Sequence, residues 1–116
     1  MGTTDEELAS ATAGARTLLA FYGSTSAYRP VLDVEGWADL QPELNALSKQ
    51  GEWAAMAGLV DDTMLRTLAV AGTPQECAAQ INDRFGDHAR RLCCYFPYAT
   101  ITDERIAELV TALKSP

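Results

Sequence analysis

The amino-acid sequence predicts a helix-rich α/β fold in which a run of helices is followed by a strand-helix-strand-helix (βαβα) unit. Three observations carry this expectation. Apolar residues recur at helical spacing from residue 5 to residue 66, with no alternating pattern between them. The stretch Thr67-Leu-Ala-Val-Ala-Gly-Thr-Pro-Gln-Glu-Cys77, continuing to Phe85, reads as a short apolar strand, a glycine turn and a helix. After Gly86-Asp87-His88, a second apolar run, Leu92-Cys-Cys-Tyr-Phe96, leads to another marked helix start at Thr102. Strand, helix, strand, helix is the order of α/β proteins with parallel strands, although two strands alone are too few for a stable sheet of that kind.

Taken in order, Thr4 and Glu7 have the spacing of a capping box, and Leu8, Ala11, Ala15, Leu18, Leu19 and Tyr22 form one stripe of a long first helix. Gly23 stops it. Ser24-Thr25-Ser26 offers the next N-cap, and Pro30 is acceptable in the following segment only close to a helix start. Gly36 ends that short helix. Leu40, Leu44 and Leu47 mark another amphipathic stretch around Pro42, which Gly51 closes before Trp53, Met56, Leu59 and Val60. Asp61 or Asp62 caps a last turn through Met64 and Leu65. The helix after the first predicted strand has Thr73 as N-cap, Pro74 at its first position and Glu76 at its third. The last helix opens with Asp103 and Glu104, where the helix dipole favours negative charge, and carries Ile106, Leu109, Val110 and Leu113 on one face.

The chain has 116 residues, 47% hydrophobic and 22% charged, which fits one globular unit and not a disordered one. A formal net charge of -7 argues against nucleic acid or an anionic membrane as partner, since both are held chiefly by Lys and Arg. No apolar run approaches the roughly 18 to 20 residues that span a bilayer, and Asp5-Glu6-Glu7 is unlike a signal segment. A cytoplasmic location is expected. Three cysteines, Cys77, Cys93 and Cys94, lie in apolar stretches and read as buried reduced thiols.

Four segments together point to a family. The runs Ala20-Phe-Tyr-Gly-Ser-Thr-Ser-Ala-Tyr-Arg-Pro-Val-Leu32, Gly36-Trp37, Leu59-Val-Asp-Asp-Thr-Met-Leu65 and Ala69-Val-Ala-Gly-Thr-Pro-Gln-Glu76 resemble the C-terminal part of luciferase-like oxidoreductases dependent on flavin or on the deazaflavin F420. The resemblance extends from about Thr4 to Leu113. It implies the C-terminal third of a TIM-type (β/α)8 barrel, with Thr67 to Gly72 as the seventh strand and Arg91 to Phe96 as the eighth. A full barrel takes about 250 residues, so the expectation is a single partial domain over 1–116, incomplete as a barrel on its own, with a helical region 1–66 and the βαβα unit at 67–116.

In such barrels the active site lies at the C-terminal ends of the strands, and phosphate often binds after strands seven and eight. Gly72 and Thr73 are therefore the expected cofactor-binding residues. Backbone N–H groups at the helix start, assisted by the Thr73 hydroxyl, would face a phosphate of F420 or FMN. The competing reading is a capped helix with no ligand. Tyr95, Pro97 and Tyr98 would sit on the same side, as flavin-lining or as packing residues. His88, the single histidine, precedes the eighth strand and so falls on the opposite, structural face. Cys93 and Cys94, adjacent on a strand, would point to opposite faces and not share a metal ion. Tyr28 and Arg29 belong to the strongest match. Arg29 is open to pairing with a phosphate or an acidic substrate, or with Asp33 one turn later, while Tyr28 packs under Trp37.

No catalytic or metal-binding residue is expected in the chain itself. Two functions remain. One is the C-terminal segment of an F420- or flavin-dependent oxidoreductase or monooxygenase, inactive alone, with F420, FMN or no cofactor bound by the chain itself. The other is a non-catalytic helical module for interaction or oligomerisation. The expected partners are a second copy of the chain or an N-terminal barrel segment in trans, since unpaired strand edges invite association.

Overall fold

The computed structural model describes residues 1–115. Seven α-helices are present among them: α1 (Asp5–Gly23), α2 (Arg29–Val34), α3 (Leu40–Lys49), α4 (Trp53–Gly58), α5 (Asp62–Leu68), α6 (Pro74–Phe85) and α7 (Asp103–Lys114). A short 3-10 turn, Ser26–Tyr28, precedes α2. No described helix is long and apolar enough to cross a membrane. The chain divides into two compact units, one formed by Ala15–Leu68 and the other by Met1–Gly14 together with the chain from Ala69 onward.

In the Ala15–Leu68 unit, Ala20, Leu44, Met56, Val60 and Met64 are buried together, with Leu19, Trp37, Leu40, Leu47 and Leu59 packed against them. Leu40, Leu44 and Leu47 thus face inward, as their spacing predicts. The helix ends are sealed by local hydrogen bonds. After α3, the N–H groups of Gly51 and Glu52 donate to the carbonyls of Ser48 and Leu47, and Gly51 takes the left-handed φ of 71° that this closing turn requires. The same pair of bonds ends α2, from Gly36 to Asp33 and from Trp37 to Leu32. Asp61 caps α5 by accepting from the Met64 N–H at 2.8 Å. The buried Ser24 carbonyl accepts from Gln41 and Asn45, fixing the start of α3 to the end of α1. Arg16 donates to the Val60 carbonyl and the Asp62 carboxylate, so α1 also holds the turn before α5.

The second unit is built on α6 and α7. Cys77, Ala78 and Leu109 are its buried core, covered by Met1, Val70, Ile81, Phe96, Ala112 and Leu113. Its N-terminal segment is tied down by side chains. The Thr4 hydroxyl accepts from the Glu7 N–H at 3.1 Å, and the Glu7 carboxylate reaches one residue further back than a standard box, to the Thr3 N–H at 2.7 Å. Arg105 of α7 donates to the Thr3 hydroxyl and to Glu108, with Glu7 within 3.8 Å.

The expected α/β architecture is not formed: among the described residues there is no strand, and hence no βαβα unit and no portion of a TIM-type barrel. Thr67 and Leu68, expected to open the first strand, are the last residues of α5. Ala69 to Gly72 is irregular because its carbonyls find partners other than a neighbouring strand. Ala69 accepts from Arg84, Ala71 from Gln80, and Gly72 from the Gly2 N–H and the Cys77 thiol. Residues 91 to 96, the second expected strand, have no ladder either, and Leu92 and Tyr95 are 46% and 68% exposed. Parallel strands are normally covered on both faces, which these residues are not. Their apolar character lets Val70 and Phe96 enter the core without pairing.

Leu44 is 1% exposed, so Leu44→Ala should cost about 2 to 5 kcal/mol in a urea titration. A loss well under that range would place Leu44 outside the core. A second expectation concerns acid. The Thr3 N–H, more than the Thr3 hydroxyl or the Arg105 charge, holds the Glu7 carboxyl below its ordinary value of 4.5. A depressed folded pKa gives stability that is present above the ordinary value and lost as pH falls through the folded one. Glu7→Gln should therefore flatten the loss of stability below pH 4.5. Identical acid slopes in the two proteins would remove Glu7 from that role.

Candidate functional site

The start of α6 is where sequence reasoning puts the cofactor phosphate. Thr73 is its N-cap, with φ -67° and ψ 163°, and Pro74 follows in the first turn, where its missing N–H costs nothing. The Thr73 hydroxyl accepts from the Glu76 N–H at 3.2 Å, and the Glu76 carboxylate accepts from the Thr73 N–H at 2.9 Å. This is a complete capping box, as the sequence predicts. Gly72 precedes it with φ of 136°, and a β-carbon there would lie 2.5 Å from Glu76 Oε2. Glycine is thus required for the carboxylate to fold back over the turn.

The same geometry decides what the corner can hold. Of the groups expected to meet a phosphate, the Thr73 N–H donates to the Glu76 carboxylate, while the Thr73 hydroxyl accepts from the Glu76 N–H. Its carboxylate stands where an anion would sit and repels one. In this arrangement the residues present do not fit a phosphate of FMN or F420, and the capped-helix reading accounts for every bond observed.

The other candidates are dispersed. Pro97 and Tyr98 form a turn in which Tyr98 adopts a left-handed φ of 53°, and the Tyr95 and Tyr98 rings are largely exposed. His88 lies in the turn after α6, where its N–H donates to the Phe85 carbonyl. Its imidazole has no hydrogen-bond or ion-pair partner among the described residues. Tyr28 packs on Tyr22, with ring centroids 5.3 Å apart, in place of the expected contact with Trp37. Arg29 makes no ion pair with Asp33 among the described residues.

The thiols depart from expectation. Cys77 is buried, and burial pushes its thiol pKa up, but Cys93 and Cys94 are exposed because their segment is not a sheet strand. Partial desolvation, reinforced by Cys93, raises the Cys94 thiol as well, which lowers its thiolate fraction at neutral pH. Among the described residues, no group of three or more His, Cys, Asp or Glu side chains could hold a metal ion.

One feature escaped the sequence reading. A half-open groove of about 360 Å³ runs between the C-terminal ends of α6 and α7, with Phe85, Leu92 and Val110 on its apolar surface and Arg90 and Lys114 beside it. Its lining comes from two separate segments of the chain, 81–92 and 110–114, so no local motif announces it.

Comparison with known proteins adds the family. Residues 1–90 match the family model for luciferase-like monooxygenases. The chain is 53% identical over 83 residues to Uncharacterized protein Mb1395 of Mycobacterium bovis, and to the same extent to Uncharacterized protein Rv1360 of Mycobacterium tuberculosis. The matched stretch covers 72% of this chain and 24% of each relative, so the chain spans about a quarter of the length of the proteins it matches. No solved structure matches it. The family match covers most of the residues on which the resemblance in the sequence rests, and the chain belongs to the luciferase-like monooxygenase family.

Proposed function

We propose that the chain is the C-terminal segment of an F420- or flavin-dependent oxidoreductase of this family, without catalytic competence by itself. One observation carries the reading: 53% identity over 83 residues spans only 24% of the relatives' length. In the whole enzyme the reduced flavin or deazaflavin supplies the hydride or oxygen chemistry, and protein positions it and excludes water. This segment supplies packed helices and the Gly72-Thr73 turn. For that turn to meet a phosphate, the Glu76 carboxylate must first swing away and release the Thr73 N–H.

The alternative is a non-catalytic interaction or oligomerisation module descended from the same family. The large hydrophobic side chains left exposed, Val34 at 81% and Tyr95 at 68% among them, favour it. In either case the polypeptide partner is a further segment of the enzyme or a second copy of this chain, and the acidic composition disfavours nucleic acid.

The two readings share a test at the α6 corner. Fluorescence titration of the purified chain with FMN, F420 and riboflavin should show no saturable binding up to high micromolar concentration, and Glu76→Gln should leave FMN no worse bound. Saturable binding of FMN by the native chain, absent with riboflavin and weakened by Thr73→Ala, would show an open phosphate corner and overturn the proposal of an inactive segment.

A further inference from the structure

The groove between α6 and α7 has a charge pattern at odds with the rest of the chain. The sequence carries 16 acidic residues against 9 Lys and Arg, yet the groove is lined by Arg90 and Lys114 and, among the described residues, by no carboxylate. Neither cation has an ion-pair partner among the described residues. Phe85, Leu92 and Val110 are 44%, 46% and 42% exposed along it, so apolar surface lies open beside two positive charges. An occupant that fits must be apolar along its middle and acidic at its flanks.

The Ala15–Leu68 unit presents a segment of that description. On α2 and the turn before it, Tyr28, Val31 and Val34 follow one another at three-residue spacing and are 46%, 49% and 81% exposed. Such spacing keeps them on one side of the helix. Asp33 and Glu35 flank Val34 in sequence and are exposed. Their carboxylates are bound by no cation among the described residues. The surface is thus apolar with acidic flanks, the inverse of the groove.

We propose that these two surfaces meet between two copies of this chain, α2 of one copy lying in the α6–α7 groove of the other. The mode is a helix laid into an apolar groove, with Val31 and Val34 entering between Phe85, Leu92 and Val110, and Asp33 and Glu35 reaching Arg90 and Lys114. Burial of the apolar strip provides the affinity. The opposite charges favour this pairing of surfaces. A reciprocal exchange, each copy offering its α2 to the other, is the arrangement that forms a dimer. The inference is independent of cofactor binding, because none of these residues belongs to the α6 N-terminal corner.

The test is sedimentation equilibrium from micromolar to millimolar concentration on the native chain, on Arg90→Glu with Lys114→Glu, and on Asp33→Lys with Glu35→Lys. The native chain should sediment as a dimer, each charge-reversed protein should associate at least tenfold more weakly, and an equimolar mixture of the two should regain the native affinity. Val34→Ser, at the most exposed of the three apolar positions, should weaken association without changing helical circular dichroism. A native monomer throughout the range, association that both reversed proteins retain, or a mixture that fails to recover would each overturn the proposal. In the last case the groove and α2 both matter but do not face one another.

Discussion

The carbonyl oxygens of Ala69, Ala71 and Gly72 are directed to the side chains of α6 and to the N-terminal segment, and much of the second unit follows from that. Arg84, Gln80, Cys77 and Gly2 between them take the acceptors that a neighbouring strand would otherwise use. Backbone acceptors taken out of water must be paired, and these are paired without a sheet. The segment is held against α6 in an irregular course, with Val70 turned into the core and Gly72 at the turn that starts the helix. The bond from Gly2 brings the N-terminal residues to the same place, and Met1 helps cover Cys77 and Leu109.

Several helix ends are closed by the chain itself. Thr73 with Glu76, Thr4 with Glu7, and Asp61 with Met64 satisfy N-terminal N–H groups, and the turns at Gly36 and Gly51 satisfy C-terminal carbonyls. This thorough local pairing has a functional consequence. A helix N-terminus binds an anion through the donors that remain free, and a carboxylate already seated there is both a competing acceptor and a like charge. The feature that makes α6 a well-defined helix is therefore the one that closes the α6 corner to phosphate.

Each of the two units is small for the apolar residues it carries. The core of the α6–α7 unit consists of Cys77, Ala78 and Leu109, and the other core of five buried residues around Leu44 and Met56. Small bodies bury a smaller fraction of their surface than large ones, so hydrophobic side chains are left outside. Here they are not scattered evenly. Phe85, Leu92 and Val110 share a groove beside two cations, and Val31 and Val34 share a short helix beside two carboxylates.

The sequence by itself determined most of the helices and several of their ends, because those depend on neighbours within one or two turns. The stripe from Leu8 to Tyr22, the inward row Leu40, Leu44 and Leu47, the capping box at Thr73 and Glu76 and the stops at Gly36 and Gly51 all rest on local spacing. The family was legible for a similar reason, since order and spacing of short runs persist in the chain. Tertiary structure alone decided the fate of Thr67 to Gly72 and Leu92 to Phe96. An apolar run becomes a strand only when another backbone lies alongside to share its hydrogen bonds, and composition cannot say whether one does. The exposure of Cys93 and Cys94 follows from that outcome. The folding of Glu76 over the α6 corner was half legible: the box is written in the sequence, but that its carboxylate lies over Gly72 is seen only in the structure. The groove beside Arg90 and Lys114 was not legible at all, because it exists only where α6 and α7 come side by side.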